Sequence, residues 1–504
     1  MRQFLCRLAR LLRHPVWLTS SLLLALPVEG SYGIYVGREL TADGSVLLGG
    51  TGEEVSSHWL EIVPAREYPD GATIAVGVDE RASYPGTFIE IPQVRRTAKY
   101  ITMNYSDYEG FPPPLTNGGL NEHGVAARDI WAPSRRELAA MTPALQRGPN
   151  YSDLSRIAME RARSAREAVE IIGSLMDEYG YSTYGGNSHL FADADEGWVV
   201  LNFAGGQGLW IAQRLGPDEI RMSYPGYIHE VPLDFRERDD WMGSANFISF
   251  AEEQGWWRAG AGVPFDANAV YGNGEGRSKG VRIIEARLRE YAGSGGVTLR
   301  QMLDTVRDPL ISSDAAGYGQ VAHLRRRDPH PRLRILWVAP TGSVTAPFVP
   351  YWIAGTRVLP EFGKHRYLTR GQASTFVRPD FAVQEASRFA GRLFKRLMYY
   401  SCDAPARFLP EVTEALSAFE DRSMAQLPGV EARALALYQA GEPAMARAVI
   451  DDYSSSRARA ALALGDALLG SIEARHRLLV AEPEAVSMDT IGTRNGPYVN
   501  CRSE

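Results

Sequence analysis

Ser31 could act as a nucleophile if it becomes the first residue of the mature chain. Residues 1–30 contain four arginines, then an apolar stretch from Trp17 to Val28, and they end at Gly30. A positive region, a short apolar region and a small residue before the cut are typical of a secretory signal peptide. We therefore predict that residues 1–30 are a signal peptide, and that cleavage after Gly30 leaves a free α-amine on Ser31.

A free α-amine beside a hydroxyl gives one residue two chemical roles. The pKa of an α-amino group is about 7.7 to 8.0, so a useful fraction is unprotonated at neutral pH and can accept the hydroxyl proton. The hydroxyl oxygen then attacks a carbonyl carbon, and amide bonds are the usual targets of this chemistry. Ser31 thus predicts an amidohydrolase that needs no metal, with nucleophile and general base on the same residue.

The alternative is that the leader stays attached as an interfacial anchor helix, because Pro27 and Glu29 make its end irregular. The apolar stretch is shorter than the ~20 residues that a permanent membrane span requires. The sequence therefore favours removal of the leader. We expect an exported protein, periplasmic or secreted, with no stable membrane association after cleavage.

The charge of the chain limits the class of partner. The 504 residues carry a formal net charge of -6, and residues 1–30 hold four arginines against one glutamate, so the remainder is more acidic still. An acidic protein repels phosphate backbones, which argues against nucleic acid as the main partner. We expect a small peptide or amide as substrate, and the sequence leaves a homo-oligomer open.

The chain has three cysteines, Cys6, Cys402 and Cys501. They are too few for a disulfide framework and lack the spacing of a zinc site, so neither a metal nor a cofactor is expected. Because Cys6 lies in the leader, Cys402 and Cys501 remain as a pair that could form a bridge in an oxidising compartment. The sequence leaves this pairing open.

Apolar periodicity predicts a sheet-rich region that positions Ser31. A β-rich run starts at Ser31, Asp43-Gly44 marks a tight turn and a second run starts at Val46, which together predict a hairpin. A helical stripe begins near Tyr151, with Asp153 as its cap, and predicts a helical pair or one kinked helix. Further strands are predicted at 60–63, 72–78, 87–92, 99–105, 115–127 with an internal turn, 188–203 with a turn at 193–197, 208–214 and 334–339, and a further helix at 280–291.

The composition changes beyond about Phe376, where Ala, Leu, Arg and Glu replace the strand-forming residues. Helices are predicted at 381–400, 408–424, 430–440 and 444–475, the last two separated by Gly441-Glu442-Pro443. The predicted organisation is therefore a signal peptide at 1–30, an amidohydrolase domain at 31–375, a helical C-terminal region at 376–480 and a tail at 481–504.

Several motifs resemble those of the N-terminal-nucleophile dipeptidases of the dipeptidase A type, which are related to secernins. In that family the nucleophile begins a short strand that ends in Val-Gly-Lys, and Asp-Gly-Ser follows after four more residues. At the same offsets from Ser31 this chain has Val36-Gly37-Arg38 and Asp43-Gly44-Ser45, and it also matches at Trp59-Leu60-Glu61-Ile62-Val63-Pro64, Asn117-Gly118-Gly119-Leu120-Asn121-Glu122-His123-Gly124-Val125-Ala126 and Gly185-Gly186-Asn187-Ser188-His189.

The resemblance covers roughly residues 31–350. It implies an α+β fold of the N-terminal-nucleophile hydrolase type, an αββα sandwich in which two layered sheets lie between helices, followed here by the helical C-terminal region. It also implies hydrolysis of dipeptides or related amides without a metal.

The chain departs from the family pattern at two places. The family nucleophile is normally Cys, whereas this chain has Ser31, and a hydroxyl depends more strongly on its base than a thiol does. The family motif Arg-Asn-x-Asp corresponds here to Gly50-Thr51-Gly52-Glu53, so the arginine is missing. The resemblance implies that Glu53 takes the place of the aspartate in holding the α-amine.

Asn121 completes the predicted site. Related bile-salt and penicillin V acylases bind the tetrahedral oxyanion with an asparagine in a similar turn, and Asn121 occupies the matching place. One such donor is worth about 3 kcal/mol in the transition state. The predicted catalytic residues are therefore Ser31, Asn121 and Glu53. The alternatives are a turn role for Asn121, a surface position for Glu53, and structural rather than basic roles for His123 and His189.

The sequence is compatible with three functions. The first is an exported dipeptidase that uses Ser31 and its own α-amine. The second keeps the fold and mechanism but cleaves an N-acyl amide instead. The third is a catalytically inactive relative that binds a peptide in the former cleft, and the replacement of both Cys and Arg motivates it.

Overall fold

The structure is a computed structural model, and it describes residues 31–53, 58–82, 84–105, 110–112, 114–183, 185–223, 228–313, 316–363, 388–479 and 501. The predicted signal peptide and most of the predicted tail lie outside the described residues. The boundary predicted near residue 376 also lies outside them.

The described strands in chain order are β1 (Tyr32–Val36), β2 (Val46–Glu53), β3 (His58–Val63), β4 (Arg66–Glu67), β5 (Thr73–Val76), β6 (Ile89–Pro92), β7 (Arg96–Thr97), β8 (Tyr100–Tyr105), β9 (Leu115–Thr116), β10 (Gly118–Asn121), β11 (Ala126–Trp131), β12 (Gly186–Ala192), β13 (Gly197–Phe203), β14 (Trp210–Leu215), β15 (Ile220–Ser223), β16 (Trp241–Gly243), β17 (Ala316–Leu324), β18 (Ile335–Ala339) and β19 (Val349–Trp352). The α-helices are α1 (Arg136–Ala139), α2 (Tyr151–Arg161), α3 (Ala165–Tyr179), α4 (Ser249–Glu253), α5 (Ala267–Tyr271), α6 (Lys279–Gly293), α7 (Leu299–Val306), α8 (Ala390–Asp403), α9 (Pro405–Gln439) and α10 (Pro443–Leu479).

Two antiparallel sheets form the centre of the molecule. One sheet has six strands in the order β15-β1-β2-β17-β18-β19. The other has nine strands, in the order β16-β14-β13-β12-β11-β10-β8-β3 with β9 paired to β8. Strand β1 therefore lies inside the six-stranded sheet, hydrogen-bonded on both sides, and its main chain is fixed by two neighbours.

The two sheets stack face to face, and helices cover their outer faces. A Cβ atom added to Gly33 of β1 would lie 2.9 Å from Leu190 Cδ2 of β12, so glycine at this position allows close approach of the sheets. On the outer face of the six-stranded sheet, α7 packs against β2 and β17. On the outer face of the nine-stranded sheet, α2 and α3 pack through a core that includes Ile157, Ile172 and Trp198. The layer order confirms the predicted αββα sandwich.

The predicted hairpin at Asp43-Gly44 is confirmed. Gly44 has a φ of 73°, and Asp43 Oδ1 accepts hydrogen bonds from the main-chain N and the Oγ of Ser45 at 3.1 and 2.6 Å. The following strand β2 pairs antiparallel with β1, with Tyr32 opposite Thr51. The hairpin prediction at 193–197 is confirmed as well, because this turn joins β12 to β13.

The helical segment after residue 150 is a pair of helices, α2 and α3. Asn150 rather than Asp153 is the N-cap of α2, since Asn150 Oδ1 accepts from the N–H groups of Ser152 and Asp153 at 2.9 and 3.0 Å. In the reverse direction, Asp153 Oδ2 accepts a hydrogen bond from the main-chain N of Asn150 at 3.2 Å. The predicted cap was thus three residues late, because both residues take part in one capping box.

The C-terminal region is helical as predicted, with one correction. The segments predicted at 408–424 and 430–440 form the single helix α9, which continues through Pro410 and Pro428. The break at Gly441 is confirmed, with a φ of 77°. Of the segment predicted at 381–400, residues 381–387 lie outside the described residues and the remainder belongs to α8.

Buried carboxylates attach these helices to the sandwich. Glu420 of α9 is fully buried and accepts hydrogen bonds from Arg300, Arg307 and the main-chain N of Phe348. Glu431, further along α9, accepts from Arg325 at 2.8 Å and from Trp352 Nε1 at 2.9 Å. The helical region and the sheets therefore share one hydrophobic core.

Cys402 at the end of α8 forms a disulfide with Cys501, 99 residues further along the chain. The pairing that the sequence left open is therefore present. Among the described residues, no helix combines the length and apolar character that crossing a bilayer requires.

We predict that Glu420→Gln lowers the free energy of unfolding by roughly 3 kcal/mol, because it removes the buried carboxylate that pairs with buried Arg307 and half-buried Arg300. Chemical denaturation of the purified protein measures this change. Glu414→Gln, an exposed position on the same helix, is the matched control and should change stability very little. Equal effects of the two substitutions would contradict the proposed attachment.

Candidate active site

Ser31 lies immediately before β1 and is 8% exposed. Alternate residues of a strand face the same side, so Ser31 shares the face of Gly33, which points at the nine-stranded sheet. Tyr32 points the other way, and its hydroxyl donates to the carbonyl of Val306 on α7. The Ser31 side chain therefore faces the space between the two sheets.

The residue opposite Ser31 is Gly52, whose lack of a side chain allows Asn117 and Tyr318 to approach. The β1–β2 ladder pairs Tyr32 with Thr51, and one further step places Ser31 opposite Gly52. A Cβ atom on Gly52 would lie 2.6 Å from Tyr318 Cε1 and 2.8 Å from Asn117 Nδ2. Because opposite side chains in such a ladder are about 5 Å apart at Cβ, Asn117 and Tyr318 belong to the immediate surroundings of Ser31.

Arg128 of β11 lies at the centre of this site and is completely buried. One guanidinium nitrogen, Nη1, donates to the carbonyl of Asn117 at 2.7 Å and to the hydroxyl of Tyr318. The other, Nη2, donates to the carbonyl of Thr51 and, at 3.4 Å, to that of Asp129. A single side chain from one sheet thus joins β2 and β17 of the other sheet to the segment before β10.

Aromatic and amide groups complete the surroundings of Arg128. The guanidinium carbon lies 4.9 Å from the centre of the Tyr318 ring, and the ring of His58 lies 5.0 Å from that of Tyr318. Asn117 Nδ2 lies 3.3 Å from His58 Nε2. Burial raises the pKa of the Tyr318 phenol, so this hydroxyl stays protonated and can both donate and accept.

Gly50 occupies the position at which the resemblance expects an arginine. A Cβ atom there would lie 2.0 Å from the carbonyl oxygen of Tyr32, and Gly50 has a φ of 152°. This backbone therefore excludes a side chain at residue 50. The guanidinium of Arg128 instead reaches the neighbouring residue, Thr51, from the opposite sheet.

Glu53 is the last residue of β2, where its main chain pairs with Ala316 of β17. Its side chain lies outside the described part of the structure, so its role in holding the α-amine stays a prediction. The ladder does place its main chain two residues beyond Thr51, at the same end of the sheet as Ser31.

Asn121 is the last residue of β10, and its side chain holds the turn to β11, which is the turn role of the alternative interpretation. Its Nδ2 donates to the carbonyls of Met159 and Ala162 at 3.2 and 2.8 Å, and its Oδ1 accepts from the N–H groups of His123 and Val125, each at 3.0 Å. Both amide hydrogens are therefore used at the end of α2, on the outer face of the nine-stranded sheet. The structure does not bring Asn121 and Ser31 together, so these contacts argue against the oxyanion role.

The two histidines considered as bases lie in different places. Burial lowers the pKa of His189 to about 3, and its ring nitrogens lie 3.4 Å from Ser155 Oγ and 3.3 Å from Asn187 Nδ2. His123 is half-buried near the β10–β11 turn, and burial lowers its pKa as well. These surroundings agree with the structural roles expected for both.

Asp129 lies on the opposite face of β11 from Arg128, across from His189 on β12. Burial raises the pKa of this carboxyl to about 7, with Arg128 opposing the shift. Its Oδ1 is buried and has no hydrogen-bond partner among the described residues. Asp129 is therefore a weak counter-charge for Arg128 near neutral pH.

Sequence reasoning missed Arg128, Tyr318 and the local role of Asn117. The sequence does contain one signal for Arg128. The charged pair Arg128-Asp129 interrupts the otherwise apolar residues 126–130 of a buried hairpin. Asn117 stands at the head of the motif from which only Asn121 was selected. Tyr318 carries no local signal, since its partners come from other strands.

Among the described residues, no group of three or more His, Cys, Asp or Glu side chains is arranged to hold a metal ion. The site instead offers a hydroxyl at the beginning of a central strand, a buried guanidinium, a neutral phenol and an amide. These groups can position a carbonyl and stabilise negative charge on its oxygen.

Two layered antiparallel sheets between helices, with a hydroxyl-bearing residue immediately before a central strand, define the class of N-terminal-nucleophile hydrolases. Residues 33–287, about half of the chain, match peptidase family C69. The chain belongs to this family.

The chain is also similar to curated members of the dipeptidase group. Probable dipeptidase B of Streptococcus pyogenes serotype M3 is 24% identical over 229 residues, which cover 44% of this chain and 42% of that protein. Probable dipeptidase A of the same serotype is 29% identical over 136 residues, covering 27% of this chain and 28% of that protein. The matched part thus spans less than half the length of these relatives.

Two solved structures show a weaker likeness. A mutant of conjugated bile acid hydrolase from Clostridium perfringens covers 67% of this chain at 10% identity with a TM-score of 0.30. A second variant of the same hydrolase covers 61% at 10% identity with a TM-score of 0.27.

We predict that Asn121→Ala lowers stability by about 1 to 3 kcal/mol, because it removes four hydrogen bonds at a buried turn. Among the molecules that remain folded, kcat for a cleaved substrate should stay within a few-fold of the original. Thermal unfolding and active-site-normalised kinetics measure the two effects. A folded Asn121→Ala protein with a 100-fold lower kcat would restore the oxyanion role.

Proposed function

We propose that this chain is an exported dipeptidase in which Ser31 is the nucleophile and its own α-amine is the general base. Membership of peptidase family C69 supports a peptidase. The observation that carries the finer statement is the position of Ser31, at the beginning of a central strand and opposite a glycine, with its side chain between the sheets. Small peptides are the proposed substrates.

The proposed reaction has two steps. In the first, the Ser31 Oγ attacks the scissile carbonyl while the α-amine accepts its proton, and the leaving amine then takes that proton. This releases the amino component and leaves an ester between Ser31 and the acyl part of the substrate. In the second step, water gives a proton to the same amine and attacks the ester, and the amine then returns that proton to the Ser31 Oγ as it leaves, which releases the acid.

The tetrahedral intermediate needs donors for its oxyanion. We propose Asn117 Nδ2 as the side-chain donor in place of Asn121, because Asn117 lies beside Gly52, the residue opposite Ser31. Asn117 Nδ2 makes a 3.3 Å contact with His58 Nε2, which orients the amide. A preorganised donor of this kind is worth about 3 kcal/mol because it acts on charge that develops only in the transition state.

Export is a proposal supported by two separate features. Residues 1–30 have the order of regions found in a signal peptide. The disulfide between Cys402 and Cys501 is typical of proteins in oxidising compartments such as the periplasm or the extracellular medium.

We predict that Ser31→Ala abolishes dipeptide hydrolysis, lowering kcat/KM at least 1,000-fold, a loss on the order of that seen when a nucleophile is removed. A panel of free dipeptides and N-acylated amines, assayed with purified mature protein, measures this. The matched control is Ser45→Ala, since Ser45 is also buried but bonds to Asp43 at the far end of the β1–β2 hairpin. The control should keep its activity.

Two results would contradict the proposal. Hydrolysis of N-acylated amines with no activity on dipeptides would identify the acylase alternative. Equal behaviour of the original protein and Ser31→Ala in every assay, including peptide binding, would identify an inactive relative.

A further inference from the structure

Arg128 is a buried cation with no carboxylate partner among the side chains that the structure describes. Its four Nη hydrogens are directed at neutral oxygens, those of Thr51, Asn117, Asp129 and Tyr318. Its Nε is also buried and has no hydrogen-bond partner among the described residues. No described carboxylate therefore compensates the charge of this guanidinium within hydrogen-bonding distance.

Other arginines in the interior do have a carboxylate partner. Arg307 is paired with Glu420, Arg156 with Asp153 at 3.1 Å, and Arg325 with Glu431 at 2.8 Å. An unpaired buried charge costs several kcal/mol, and apolar replacements of buried charges are often neutral or stabilising. Packing alone thus gives no reason for a guanidinium at position 128.

The guanidinium lies close to the first residue of β1. Nη2 donates to the carbonyl of Thr51, whose cross-strand partner is Tyr32, the residue after Ser31. Nη1 contacts Tyr318 and Asn117, which crowd the position of a Cβ on Gly52, opposite Ser31. These two sets of contacts place the charge on the side of Ser31 that faces the second sheet.

We propose that Arg128 is a positioning residue of the Ser31 site: its guanidinium fixes Asn117, Tyr318 and the β2 strand around Ser31, and its unpaired positive charge keeps the Ser31 α-amine in the neutral, proton-accepting form. The inference rests on the proposed function. It assigns Arg128 an action through other groups rather than on the substrate.

The direction of the electrostatic effect follows from like charges. A protonated α-amine near a guanidinium is disfavoured, so the amine releases its proton at lower pH and more of it is available as base near neutrality. The low-dielectric interior strengthens this repulsion compared with water. The effect removes the main weakness of a serine nucleophile, which is its dependence on an efficient base.

The titratable side chains that the structure describes around the guanidinium oppose this effect only weakly. Burial keeps the Tyr318 phenol protonated, and His58 contributes no negative charge. Asp129 is on the other face of β11, with a pKa raised by burial to about 7. The main chain of Glu53 lies at this end of β2, and its carboxylate, the group predicted to bind the amine, favours the protonated form and offsets part of the effect of Arg128.

The test compares Arg128→Met, Arg128→Lys and the control Arg325→Met by the pH dependence of kcat/KM for a cleaved dipeptide. The acid limb of this profile is the pH range in which kcat/KM rises as the α-amine loses its proton. We expect its midpoint to move up by about 1 pH unit in Arg128→Met, since the repelling charge is gone. Arg128→Lys keeps the charge but loses the forked contacts, so its acid limb should stay near the original while kcat falls. A purely structural residue would lower activity without moving the limb.

Arg325 is a suitable control because it is a partly buried arginine remote from Ser31. It follows the end of β17, seven residues after Tyr318. At about 3.3 Å per residue, Arg325 therefore lies about 23 Å from Tyr318, which is next to the Ser31 site. Arg325→Met should lower stability through the loss of Glu431 as partner and leave the acid limb unchanged.

An acid limb of folded, active Arg128→Met that coincides with the original would overturn the inference. If Arg128→Met does not fold, the unmodified protein decides the question. Its acid limb must lie below the range of about 7.7 to 8.0 of an ordinary α-amine, and a value in or above that range would overturn the inference. The proposed function fails independently, through full activity of Ser31→Ala.

Discussion

The antiparallel ladder that holds β1 between β15 and β2 is the constraint on which the rest of the site depends. Because both edges of β1 are hydrogen-bonded, the residue before it has a fixed direction, and the alternation of the strand turns Ser31 toward the second sheet. Glycine at residue 33 lets that sheet approach closely. A nucleophile on a loop would have none of this orientation.

Arg128 joins the two sheets at the same point. Its contacts reach across the sandwich to Thr51 and Tyr318, so the geometry at Ser31 depends on the packing of the sheets as well as on the hairpin that carries it. The backbone at Gly50 has no space for a side chain, and the missing arginine of the resemblance is explained by this steric limit. The positive charge in the structure instead belongs to Arg128, on strand β11 of the facing sheet.

Much of the fold could be predicted because its signals are local. Asp43-Gly44 marks the hairpin, alternation marks β12 and β13, and the change of period near Tyr151 marks the helices. Two features of the helices were harder to predict. The cap of α2 is part of a capping box, in which two residues carry the same kind of signal. Helix α9 continues through Pro410 and Pro428 because tertiary packing overrides helix propensity.

The site was predicted only in part. Ser31 was selected from its position after the predicted leader. Asn121 was selected by motif, but its side chain is hydrogen-bonded to the end of α2. The Arg128–Tyr318 contact joins residues 190 positions apart and has no local signal.

The central claim is that Ser31 provides both nucleophile and base, which requires a free α-amine on that residue. The most direct measurement is the N-terminus of the protein recovered from its natural compartment, by intact mass and terminal sequencing. The account predicts a chain that begins at Ser31 with an unmodified amine. A chain that keeps residues 1–30, or that begins at any other residue, would contradict it, because the proposed base would not exist.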